Sequence, residues 1–276
     1  MEIVDQRLPA AGLELRVRTA GSGPPILLLH GFPDAGSLWD RMLPGLVAAG
    51  HRVIVPDQRG FGESAAPTQV AEYRIDRIVA DHLAVLDRLC PGESVRIVGH
   101  DWGAVVAWCL ALAQPRRVRA LAALSVGHPR AYATAGLEQK RKGLYTLAFQ
   151  FRGLAERWLS HDDFAGLRGW AGPHPAMAES VALLSRPGRL TAGLNWYRAN
   201  LVRVLLRAWP PCAVPALGVW SSGDRFLSED QMTGSARHVQ APWRYERIED
   251  AGHWLPLEQP ARMNALSLAW FREHAA

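Results

Sequence analysis

Five short apolar runs, each closed by glycine, proline or a polar turn, restrict this chain to few architectures. Pro25–Leu29 leads into His30-Gly31, Arg52–Val55 into Pro56-Asp57, and Ser94–Val98 into Gly99-His100. Ala120–Val126 ends at Gly127-His128-Pro129, and Val214–Trp220 at Ser221-Ser222-Gly223-Asp224. A strand with no polar face must be covered on both sides, which calls for a parallel sheet between layers of helices. Stretches of helical periodicity at Leu38–Ala49, Ile75–Leu89, Trp102–Gln114 and Pro256–His274 alternate with these runs. That alternation describes a doubly wound α/β domain. Leu13–Thr19 alternates apolar and polar residues and adds one half-buried strand.

The rhythm fails between Arg130 and Pro211. This stretch is helical in pattern, rich in Trp, Tyr and Arg, and punctuated at Gly172-Pro173, Pro175 and Pro187-Gly188. Sheet rhythm resumes at Val214. The expected organisation is an α/β core over residues 1–129 and 213–276, interrupted by an all-helical cap over 130–212 after the sixth strand.

Composition excludes several function classes. With 276 residues the chain can bury a large core without staples. The net charge of +5 comes from 31 basic and 26 acidic residues interleaved along the whole length. The densest basic runs, Lys140–Lys142 and Arg116–Arg119, lack the interleaved aromatics of a nucleic-acid platform, so no nucleic-acid partner is expected. Three widely spaced cysteines (Cys90, Cys109, Cys212) without a CxxC motif argue against a disulfide framework and for a reducing compartment. The start carries acids and no apolar core of a signal peptide, and no apolar stretch is long enough to span a bilayer. A cytoplasmic protein without a membrane partner is expected. No metal-ligand cluster, phosphate-binding loop or dinucleotide fingerprint stands out, so neither metal nor cofactor is expected.

The strongest local signal is Gly99-His100-Asp101-Trp102-Gly103, between a buried strand and a helix. A sharp strand-to-helix turn strains its central residue and needs small neighbours two positions to either side, which Gly99 and Gly103 supply. Taken alone, Asp101 could merely cap the following helix. Asp224 beyond the run Val214–Trp220, and His253 after the strand-like Trp243–Ile248, complete the order nucleophile, acid, histidine. Asp57 and Asp250 are weaker partners for the histidine, the first in a structural loop and the second too close in sequence to face it. The end of Ala120–Val126 offers only Ser125.

These motifs resemble the α/β-hydrolase superfamily, and within it the epoxide hydrolase and haloalkane dehalogenase branch, along essentially the whole chain. His30-Gly31-Phe32-Pro33 resembles the HGxP oxyanion motif, Asp57–Ser64 the loop after the fourth strand, and Gly99–Gly103 the GHDWG elbow. The resemblance implies Asp101 as nucleophile, His253 as general base, Asp224 as its orienting acid, and the backbone N–H groups of Phe32 and Trp102 as the oxyanion hole. A carboxylate is already ionised at neutral pH, its ordinary pKa being about 4. Attack on an acyl carbon would give an anhydride, whereas attack on saturated carbon gives an ordinary ester. Epoxides and halides therefore suit it, and ordinary esters do not.

Leaving-group chemistry separates those two. An epoxide leaves as an alkoxide that needs a proton, while a halide needs N–H donors. Asn195-Trp196-Tyr197-Arg198 resembles the NWYR segment of epoxide hydrolases and implies Tyr197 as the proton donor. A second cap tyrosine is matched to Tyr145–Gln150, where the corresponding position is assigned to Ala148; Tyr145, one turn away, or His128 could replace it. Trp196 and Trp254 join Phe32, Trp102, His128, Tyr145 and Ala148 as expected pocket residues. For dehalogenation, Trp102 offers an indole N–H, and Trp158, Trp170, Trp196 or Trp209 could add another. The asparagine of the dehalogenase HGN motif is replaced by Phe32. Epoxide hydrolysis leads, dehalogenation is the alternative, and a non-catalytic ligand receptor is the remote third, disfavoured by the intact Asp101, Asp224 and His253. The expected partners are water and a small apolar or aromatic epoxide, with a homodimer left open.

Overall fold

The computed structural model describes residues 1–275. Its eight strands are β1 (Ile3–Pro9), β2 (Glu14–Ala20), β3 (Pro25–Leu29), β4 (Arg52–Pro56), β5 (Val95–His100), β6 (Val118–Leu124), β7 (Ala216–Ser221) and β8 (Trp243–Ile248). They form one sheet in the order β1-β2-β4-β3-β5-β6-β7-β8. From β4 to β8 every pairing is parallel, whereas β1 and β2 add an antiparallel edge. Every residue of β3, β5 and β7 is buried, as their unbroken apolar sequence demands.

The helices are α1 (Leu43–Ala48), α2 (Ile75–Leu89), α3 (Trp102–Ala113), α4 (Pro129–Thr134), α5 (Leu137–Lys142), α6 (Tyr145–Ala148), α7 (Leu154–Ala171), α8 (Met177–Leu184), α9 (Arg189–Leu206), α10 (Glu229–Thr233), α11 (Leu255–Glu258) and α12 (Pro260–Glu273). The expected helix Leu38–Ala49 is instead a 3-10 turn at Gly36–Trp39 followed by the shorter α1. Pro44 favours a helix start there, because its missing N–H is no loss in a first turn. Helix α3 is buried almost throughout and packs on β3, β5 and β6, which makes it the central helix of the core. No helix among the described residues is long and apolar enough to cross a membrane.

Helices α4–α9 lie between β6 and β7 and form the cap. Side chains of its last helix tie it to the core. The indole of Trp196 donates to the carbonyl of Arg59 at 3.0 Å. Asn200 accepts the N–H of Ile75 at 2.8 Å and donates to the carbonyl of Tyr73 at 2.7 Å. Arg198 braces the cap internally, reaching the carbonyl of Phe149 at 2.9 Å and both oxygens of Glu156 at 2.7 and 2.9 Å. With Trp196 and Arg198 so committed, the intervening Tyr197 is fixed toward the space above α3.

Candidate active site

Asp101 stands between the last residue of β5 and the first of α3, with φ 54° and ψ −124°. Few residues other than glycine adopt such a backbone, and it is maintained here by crowding on both sides. A Cβ on Gly99 would collide with the backbone of Gly103 and Ala104, and one on Gly103 with the carbonyls of Leu29 and His30. The two glycines flanking the acid are thus required by close backbone approach. The bend lifts the carboxylate off the sheet edge, at the amino end of α3 where the helix dipole favours negative charge.

Around this carboxylate the structure assembles residues from distant parts of the chain. The N–H of Phe32 donates to Asp101 Oδ1 at 2.9 Å. His253 Nε2 lies 3.7 Å from the other oxygen, Oδ2. On its far side the imidazole meets Asp224 Oδ2 through Nδ1 at 2.9 Å. Asp224 Oδ1 accepts the N–H groups of Phe226 at 2.8 Å and Leu227 at 3.0 Å, which stops the carboxylate from rotating. The carbonyl of His253 accepts from His100 Nε2 at 2.8 Å and from the Ser125 hydroxyl at 3.3 Å. Burial, with the charge of His253 adding to it, pushes the His100 pKa down to about 4, so that ring stays neutral.

Burial alone would depress the His253 pKa, but Asp224 and Asp101 outweigh it and raise it to about 10. Asp224 responds in the opposite sense: burial pushes its carboxyl up, while His253 and the two backbone donors hold it below the usual carboxylate value. The two flanking acids thus favour the protonated form of the imidazole.

Above Asp101 lies a mostly apolar cavity of about 60 Å³, walled by Asp101, Trp102, Val105 and Val126 from the core and by Tyr132, Tyr145, Thr146 and Tyr197 from the cap. The Tyr197 ring stands edge-on to Trp102 at 5.2 Å and to Phe32 at 5.8 Å. Tyr145 faces it at 6.1 Å. Burial raises the pKa of both phenols well above the ordinary value. For Tyr197 the charge of Asp101 adds to this, and contacts with the Trp102 indole and the Tyr145 hydroxyl oppose it. Both therefore carry their protons at neutral pH.

Several expected pocket residues lie elsewhere. Ala148 is on α6 but not in the cavity wall; the phenol there belongs to Tyr145, one turn earlier, because the short helix presents Tyr145 and Thr146 inward. His128 caps α4, accepting the N–H of Arg130 at 3.1 Å and donating to the carbonyl of Pro210 at 3.1 Å. Trp196 is committed to the core, and Trp254 packs behind His253 at 5.1 Å. Phe32 contributes its N–H and its ring but no cavity wall. Asp57 holds its own loop through the N–H groups of Gly36 at 2.8 Å and Glu63 at 2.9 Å, and Asp250 is exposed. Tyr132 is a wall residue that the motifs did not reveal, although its place one turn after His128-Pro129 puts it on the inner side of α4. Burial, and secondarily the charge of Asp101, pushes its phenol up to about 12.

Comparison with known proteins agrees with this arrangement. A family model described as the alpha/beta hydrolase fold matches residues 24–162. The chain is 35% identical to the AB hydrolase superfamily protein YfhM of Bacillus subtilis, over 95% of each sequence. It is 33% identical to epoxide hydrolase A of Mycobacterium tuberculosis, covering 93% of this chain and 94% of that one. The crystal structure of epoxide hydrolase A from Mycobacterium thermoresistibile superposes with a TM-score of 0.82 at 30% identity, over 98% of both chains. An aspartate elbow, a histidine braced by a second aspartate and a helical cap thus sit in a chain that belongs to the α/β-hydrolase family, in the branch that contains the epoxide hydrolases.

Proposed function

We propose that this hydrolase opens epoxides to vicinal diols through an alkyl ester on Asp101. The observation that carries the reading is the pair of protonated phenols, Tyr145 and Tyr197, facing the nucleophile across one apolar cavity. An epoxide oxygen leaving as alkoxide needs such donors, and general acid catalysis of this kind contributes typically about 10²–10⁴ in rate. Of the cap tryptophans that could bind a halide, Trp158, Trp170, Trp196 and Trp209, none lines the cavity. Dehalogenation is accordingly not favoured.

The two carboxylate oxygens of Asp101 divide the work. Oδ1 is held by the Phe32 N–H at 2.9 Å, whereas Oδ2 has only His253 Nε2 at 3.7 Å beside it and attacks the epoxide carbon. The carbon–oxygen bond of the ring breaks, and the released alkoxide takes the proton of Tyr197 or Tyr145. Esterification removes the Asp101 charge and with it part of what holds the proton on His253. The histidine passes that proton on to restore the tyrosine and, now neutral, takes one from water. The hydroxide adds to the ester carbonyl, whose oxyanion is Oδ1 in the hole of Phe32 and Trp102, each donor worth on the order of 10²–10³ in rate. Collapse breaks the bond from the carbonyl carbon to Oδ2, which leaves as the second hydroxyl of the diol by taking the proton of the new Asp101 carboxyl, and one oxygen from water remains in Asp101.

A parallel assay of the purified protein against aryl and alkyl epoxides and haloalkanes tests the reading. Diol formation supports it, and halide release without diol rejects it. A single turnover in heavy-oxygen water should label the Asp101 carboxylate. A cytoplasmic setting is part of the proposal, supported by three buried cysteines that are not joined in disulfides.

A further inference from the structure

A second acid–histidine pair lies outside the catalytic set. Asp34, in the loop after β3 and two residues beyond Phe32, is almost wholly buried, and His174, in the turn between α7 and α8, is sealed from solvent. Its Nε2 meets Asp34 Oδ1 at 2.9 Å. The ring is fixed from its other side, where Nδ1 accepts the N–H of Ala176 at 3.0 Å, so Nε2 carries the hydrogen and donates. Ser180 on α8 donates to the same Asp34 oxygen at 3.1 Å. Both side-chain donors that Asp34 receives come from the cap, and Oδ2 has no partner among the described residues. A buried carboxyl depends heavily on its hydrogen bonds, so the core loop that carries Phe32 is anchored by the cap.

The pair also touches the machinery. The His174 ring packs on Trp254 at 4.3 Å, and Trp254 stands edge-on to His253 at 5.1 Å. The indole N–H of Trp254 has no partner among the described residues, so packing holds that ring. Without His174, Trp254 would gain room to turn, and His253, which also packs on His100 at 4.7 Å and Phe226 at 5.0 Å, would lose one of the three rings that keep Nε2 beside Asp101.

We propose that Asp34 and His174 form a buried catch between core and cap that positions His253, through Trp254, for hydrolysis of the ester. The proposal rests on the covalent mechanism above. Alkylation by Asp101 requires no base, whereas ester hydrolysis requires an aligned imidazole. Loss of the catch therefore slows the second half-reaction selectively.

The test is rapid-mixing kinetics with an aryl epoxide, with mass detection of the trapped ester, on wild type and on H174A, H174Q and H174F. In H174A, ester formation should stay within about threefold of wild type while kcat falls at least about tenfold. The trapped ester should rise toward one per chain, and KM should fall with kcat, as expected when hydrolysis limits turnover. H174Q retains a donor for Asp34 and should recover kcat to within about threefold. H174F fills the space beside Trp254 without a donor and should remain slow; if H174A does not fold, the contrast between H174Q and H174F decides. Equal slowing of both half-reactions, or an unchanged kcat in H174A and H174F, overturns the catch. A wild type that never forms an ester overturns the covalent mechanism itself, and the catch with it.

Discussion

His253 Nδ1 and Asp224 Oδ2 meet at 2.9 Å with both side chains closed to solvent. The second oxygen of Asp224 is held by two backbone N–H groups, so the acid has one orientation and imposes one on the ring. D224N should leave ester formation largely intact and reduce kcat by on the order of 10³–10⁴, because the amide can favour the wrong imidazole tautomer. Accumulated ester in quenched samples, read by intact mass, checks this. A variant slowed equally in alkylation would contradict it.

Stability should depend on pH through the same pair. The folded-state pKa of His253 is raised from 6.5 to about 10, so the folded protein holds a proton that the unfolded chain releases. That contribution is fully present below pH 6.5 and is lost as pH climbs through about 10. Urea midpoints should therefore fall across this window, and H253Q should show a flatter profile. An equally steep decline in H253Q would assign the effect to other groups.

Tyr145 and Tyr197 face one another at 6.1 Å, and each can serve the leaving oxygen. Y197F and Y145F should each lower the rate of ester formation by about 10- to 100-fold, and the double variant by about 10²–10⁴. Stopped-flow measurement of the alkylation phase resolves this. Wild-type alkylation in the double variant would remove the tyrosines from the mechanism.

Gly31 lies against Asp101, and a Cβ there would overlap the Asp101 side chain. G31A should lose at least about tenfold in kcat/KM, since the obstruction falls on the Asp101 carboxylate and on its Cβ. G103A meets the carbonyls of Leu29 and His30 instead and should fail chiefly in stability. Thermal melts beside activity assays separate the two.

What could be read from the sequence follows physical locality. The elbow is legible because Gly99 and Gly103 stand two positions either side of Asp101 in one short segment, and the parallel sheet because burial on both faces leaves an unbroken apolar signature. Edge strand β1 was missed: Ile3–Pro9 is largely exposed and carries Asp5, Gln6 and Arg7, so it has no such signature. The segment match puts the second tyrosine position at Ala148 and leaves Tyr145 as its substitute; a four-residue helix has too little periodicity to decide between them, and the cavity wall holds Tyr145. Trp196 is expected in the pocket from its segment, His128 from its place at a strand end and Trp254 from its place beside His253, yet tertiary hydrogen bonds and packing take them elsewhere. The contact of Asp34 with His174 bridges 140 residues and has no local trace.

The backbone of Asp101 has a consequence for engineering. A side chain at φ 54° and ψ −124° holds about 1–3 kcal/mol of strain, which glycine at that position would release. Heat-challenge selection without a turnover assay would thus reward loss of the Asp101 side chain, yielding sturdier proteins without the carboxylate on which the proposed mechanism depends. Directed evolution of this scaffold for durability must score catalysis in every round.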